Sequence, residues 1–168
     1  MRRYVMAGAW VIIGFLLQST IMQTISFANV SPNLLIIITA SYGFMMGKKE
    51  GLIVGFFCGL IVDIFFGSVL GFYALLYMLI GYCNGLLHML FYPDEIKLPM
   101  ILITISDFVS GLTVYFFLFL FRGRFDFGYY FFNIIMPEVI YTILISIFLY
   151  LIILKINQKL ETLDNKER

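Results

Sequence analysis

From Tyr4 to Leu154 the chain is a succession of six apolar runs, parted only by short segments that hold charges or turn residues. The runs cover residues 4–27, 32–47, 51–66, 71–91, 99–121 and 130–154. An apolar run of this kind has two destinations, a protein core or a bilayer. Six of them in 168 residues leave too little polar sequence to wrap a core: 62% of the residues are apolar and 12% charged, against about 45–50% and about 25% in soluble domains. The expectation is an all-α, polytopic membrane protein, a six-helix transmembrane bundle over residues 1–154 with a cytoplasmic tail at 155–168. A span needs about 20 residues, and the second and third runs are shorter, reaching only about 24 Å at the helical rise. Either they extend into the Lys48-Lys49-Glu50 turn, or the bilayer is locally thin, or the pair is a re-entrant hairpin.

Prolines and charges order these runs. Ser31-Pro32-Asn33 suits the start of the second helix, with Ser31 as cap and Pro32 in the first turn. Pro99 opens the fifth in the same way, and Pro137 predicts a kink in the sixth. With the N-terminus in the cytoplasm, the inner segments carry Arg2, Arg3, Lys48, Lys49, Lys97, Lys155, Lys159, Lys166 and Arg168, and the outer segments only Arg122 and Arg124. That asymmetry obeys the positive-inside rule and puts both termini in the cytoplasm. Ser26-Phe27-Ala28 resembles a cleavage site, but the run before it is long and carries Gln18 and Gln23, which predicts an uncleaved first helix. In the tail, Ile156, Leu160 and Leu163 form a weak apolar stripe. The last helix either runs on there or ends in a solvated, frayed segment.

Several function classes fall away. The net charge of +1 provides no field for nucleic acid. Cys58 and Cys83 lie in apolar runs and read as free, buried thiols. One histidine and no paired cysteines leave no Cys/His metal site, and no cofactor motif is present.

A glycine falls on every fourth position from Gly43 through Gly47, Gly51, Gly55 and Gly59, and again at Gly67 and Gly71; Asp63 holds the one broken slot. Four-residue spacing lines glycines along one helix face. Lipid tails do not drive helices together, so such bare stripes serve close backbone approach. They imply a tight helical hairpin or a groove for another helix. Asp63, at the outer end of the third run, is placed to accept bonds from free N–H groups at the start of the fourth helix. It is also placed to meet a partner or small ligand at the outer face.

Asp107 and Glu138 lie deeper, where a charge costs about 2.5–3.5 kcal/mol, so both must face protein or water. Thr104, Asp107 and Gly111 share one face of the fifth helix; Glu138, Thr142 and Ser146 share one of the sixth; Gly81, Asn84, Gly85 and His88 cluster on the fourth. The bundle is thus expected to have a partly polar interior. That interior serves either satisfied interhelical bonds or a path through Asp107, Glu138 and His88. Asp63 and Asp107 differ in depth and make a poor acid dyad, and no serine has a nucleophile motif. The stretch Arg122 to Phe132 combines arginine with aromatics, the composition of an interfacial belt and of a docking surface for an extracytoplasmic partner.

The pattern Pro32-Asn33-Leu34-Leu35-Ile36, Gly43, Gly47, Gly51-x3-Gly55-x3-Gly59-Leu60-x2-Asp63, Gly67-x3-Gly71 and Gly81-Tyr82-x2-Gly85 resembles the MreD rod shape-determining membrane proteins of bacteria. The family often has Asp where Asn33 stands. The resemblance implies a non-enzymatic part of the cell-elongation machinery in the bacterial cytoplasmic membrane. Its implied partner is an MreC-like single-span protein, linking it to an MreB-like filament, a RodA-like glycosyltransferase of peptidoglycan synthesis and a class B penicillin-binding protein. It also implies a fold similar to the substrate-binding subunits of energy-coupling-factor vitamin transporters. Two functions follow. One is a scaffold whose glycine stripes receive the partner's helix. The other is a solute-binding subunit with its ligand near Asp63 and Arg122 or Arg124.

Overall fold

A computed structural model describes residues 2–22, 31–67, 69–90, 96–119 and 127–166. Six helices account for nearly all of them, and no strand occurs among the described residues. Helix α1 spans Arg2–Leu17 and widens into a π turn at Gln18–Met22. Helices α2 and α3 cover Leu34–Met46 and Lys48–Phe65. Helix α4, Phe72–Leu86, tightens into a 3-10 turn at Leu87–Leu90. Helix α5, Lys97–Val114, also ends in a π turn, Tyr115–Phe119. Helix α6 begins at Phe127–Tyr130, passes through a π turn at Phe131–Ile135 and continues as Met136–Lys166.

The helices starting at Phe72, Lys97 and Phe127 are long and apolar enough to cross a bilayer. Together with the composition, they make this an integral membrane protein with an all-α bundle. Helix α2 has a different reason for being apolar. At 13 residues it reaches only about 20 Å, yet every residue from Leu34 to Met45 is buried. It touches all five other helices, so its neighbours, not lipid, solvate its side chains. A short central rod of this kind needs no thin bilayer. Its inward-facing polar residues are small, and Thr39 bonds the carbonyl of Leu35 at 2.8 Å.

Local chemistry sets the ends of these rods, in places differently from the sequence expectation. Asn33, not Ser31, caps α2, its Oδ1 accepting the N–H of Ile36 at 3.3 Å, and Pro32 lies before the helix. The amide side chain does this because Tyr77 of α4 anchors it at 2.9 Å. The link between α2 and α3 is Gly47 alone. Its φ of +105° suits a residue without Cβ, and Lys48, Lys49 and Glu50 form the first turn of α3 instead of a loop. Pro99 sits in the first turn of α5. The wide turn before Pro137 absorbs the kink: the N–H of Met136 bonds back five residues to Phe131. Beyond Leu154 the last helix continues to Lys166, and Asn157 is buried, its Nδ2 3.4 Å from the sulfur of Met45 on α2. The start of the expected tail therefore belongs to the bundle. Cys58 is buried and free as expected, whereas Cys83 is free but exposed.

Candidate functional site

The glycine row separates into two jobs. Gly43, Gly51, Gly55 and Gly59 form a seam whose other side is α4. A methyl group built at Gly51 would lie 2.6 Å from the Cα of Gly43, and one at Gly55 would lie 2.7 Å from the backbone carbon of Tyr77. At Gly59 it would lie 2.5 Å from the Cα of Ala74, and at Gly43 it would lie 2.5 Å from the carbonyl oxygen of Gly81. Real Cβ atoms do not approach backbone so closely. Gly85 returns the arrangement from α4, where a methyl would meet the Cα of Lys48 at 2.6 Å. The seam thus joins α2, α3 and α4 backbone to backbone. The remaining glycines shape chain ends. Gly47 makes the hairpin turn, Gly67 donates to Val62 at the end of α3, and Gly71, at φ +95°, precedes α4.

Asp63 occupies the gap between these groups and is 2% exposed. Its Oδ2 accepts the N–H groups of Gly71 at 3.0 Å and Ala74 at 2.9 Å, and its Oδ1 accepts that of Tyr73 at 3.0 Å. A carboxylate on α3 therefore caps the N-terminus of α4, where the helix dipole favours negative charge. The same three bonds occupy both oxygens, which argues against Asp63 as a ligand or partner contact.

The other polar residues tie the second half of the bundle together. Asn84 donates from α4 to Ser106 on α5 at 2.8 Å, and His88 Nδ1 lies 2.9 Å from the carbonyl of Phe44 at the end of α2. Thr142 of α6 accepts the N–H of Asn33 at 3.1 Å. One contributor escaped the sequence reading: Gln18 accepts the N–H of Leu35 at 3.2 Å, a tertiary contact that no local pattern announces. Asp107 and Glu138 come within electrostatic reach of each other. His88 lies just past the end of α4, against Phe44. Glu138 lines a cavity of about 250 Å³ at the end of the bundle where α2 and α4 begin, with Gln18, Asn33, Tyr73, Tyr77 and Ser110. Arg122 and Arg124 lie outside the described residues. The aromatics that follow them divide. Tyr130 and Phe127 pack on Tyr115 at ring distances of 5.0 and 5.2 Å, while Tyr129 and Phe132 are exposed.

A second, apolar cleft of about 450 Å³ separates α1 from α2 and α3. Ala7, Gly8, Tyr42, Val54 and Phe57 line it, and Glu50 is its one charged residue. A methyl at Gly8 would meet nothing within 4 Å.

The family profile of rod shape-determining protein MreD matches residues 1–160. The chain belongs to the MreD family. That membership assigns it to the determination of rod shape and to the machinery that carries it out. As an MreD protein it owes its glycine-rich central helices to the α2–α3–α4 seam. No curated protein and no solved structure matches the chain.

Proposed function

We propose that this MreD protein is a non-enzymatic scaffold of the cell-elongation machinery in the bacterial cytoplasmic membrane, with both termini cytoplasmic. It binds the single span of an MreC-like partner and through it joins the MreB-like filament and the peptidoglycan-synthesising enzymes. One observation carries this reading. The glycine seam is closed by the chain's own α4, while the α1–α3 cleft is apolar, bordered by Ala7 and Gly8, and unfilled above Gly8. Within a bilayer, helix association relies on close packing over small residues, and the cleft supplies that condition. On this reading the partner's span packs against α1 and α3 instead of the Gly43–Gly59 stripe. The rival solute-binding function loses its principal residue, since Asp63 is committed to α4.

The experiment is co-purification with an MreC-like partner from membranes. Gly8→Leu fills the cleft without touching the seam. The expected result is a stable, monodisperse chain that no longer retains the partner and no longer supports rod form. Full retention by Gly8→Leu would move the interface elsewhere.

A further inference from the structure

The cavity holding Glu138 has a lopsided chemistry. It is built from the Glu138 carboxyl, the Ser110 hydroxyl and the aromatic faces of Tyr73 and Tyr77, and none of its described lining residues is basic; the Oδ1 of Asn33, also in the lining, already accepts from Ile36 and Tyr77. One helical turn from Ser110 on α5 lies Asp107. It is 3% exposed, and neither of its oxygens reaches a hydrogen-bond partner among the described residues, although Thr142 lies beside it. Asp107 is within electrostatic reach of Tyr77 and Glu138, both of which line the cavity. A carboxyl group buried in an apolar bundle keeps its proton unless a positive charge comes to lie beside it, so a cation entering the cavity would be held by Glu138 as it ionises. A bare metal ion suits the site poorly: no group of three His, Cys, Asp or Glu that could hold one occurs among the described residues. The volume, about 250 Å³, sits just under the range of about 300–1,000 Å³ for small-molecule pockets. Tyrosine faces attract organic cations, and the Glu138 carboxyl and Ser110 hydroxyl can accept from N–H donors.

We propose that this cavity binds a small primary ammonium group, with Glu138 as its counter-ion and Asp107, one turn along α5 from Ser110, as a second carboxyl group close by. The group comes from a free alkylamine or from the aminoethyl headgroup of a phospholipid, because the cavity lies where helices begin at one end of the bundle. The site is independent of the scaffold reading and requires no partner chain.

Radiolabelled methylammonium, added to the purified full chain in detergent free of aminolipid, tests it. Saturable binding is expected, displaced by unlabelled methylammonium but not by tetramethylammonium or sodium at matched ionic strength. Glu138→Gln should weaken it at least about ten-fold, the scale of a hydrogen bond to a charged group. Asp107→Asn should weaken it less, and Glu50→Gln, in the other cleft, should leave it unchanged. If Glu138→Gln does not fold, the wild-type competition decides alone. Unsaturable uptake, equal displacement by all three cations, or full binding by folded Glu138→Gln would overturn the proposal. Nanodiscs separate the two sources. Suppression of methylammonium binding by phosphatidylethanolamine, relative to phosphatidylglycerol, identifies the headgroup, and equal binding in both identifies the free amine.

Discussion

The two halves of this bundle are held together by different means. Helices α2, α3 and α4 meet backbone to backbone through Gly43, Gly51, Gly55, Gly59, Gly81 and Gly85. Helices α1, α5 and α6 meet the rest through side chains: Gln18 on Leu35, Ser106 on Asn84, Thr142 on Asn33. Backbone packing leaves no interstices, and side-chain packing does. Both the apolar cleft and the polar cavity fall where the second kind of helix meets the first. The lesson is that a glycine-rich stretch marks the rigid part of such a protein, and its binding surfaces lie along the border.

Substitutions along this divide should rank by the kind of contact they break. Gly55→Leu drives a side chain into the backbone of Tyr77 and should exceed the about 1–3 kcal/mol of ordinary overpacking. The folded chain should be lost from detergent extracts, read by size-exclusion chromatography. Asp63→Ala strips three N–H groups of their acceptor and should cost about 3 kcal/mol, seen as a large fall in melting temperature; Asp63→Asn should cost less. Asn84→Ala removes one α4–α5 bond and should cost about 1 kcal/mol. Phe132→Ala, on the exposed aromatic edge, should change stability by no more than about 0.5 kcal/mol. A Phe132→Ala loss equal to that of Gly55→Leu would erase the distinction between the halves.

Much of the rigid half was readable beforehand. Four-residue glycine spacing announces a bare helix face, and a carboxylate at the end of one helix just before another starts announces a cap. What spacing does not say is which helix covers the face, so α4 could not be told from α2 or a partner. Nor does it separate Gly47 and Gly71, which serve positive φ, from Gly51 and Gly55, which serve contact. Uniform apolarity in α2 reads as lipid exposure and as complete burial alike; only its short length hinted at the second. The polar stripes at Asp107 and Glu138 imply a protein-facing side; Asp107 is buried and Glu138 lines a cavity. The cavity beside them depends on how three helices splay, and Gln18 joins it through a contact to α2 that no periodicity encodes.

The central claim is that the glycine seam is internal, and thermal unfolding of purified Gly59→Ala in detergent, with no partner present, tests it most directly. A single methyl there meets the backbone of Tyr73 and Ala74, so the account predicts a sharply lowered melting temperature. A variant as stable alone as the unmodified chain, yet unable to retain an MreC-like partner, would show that this face belongs to another protein.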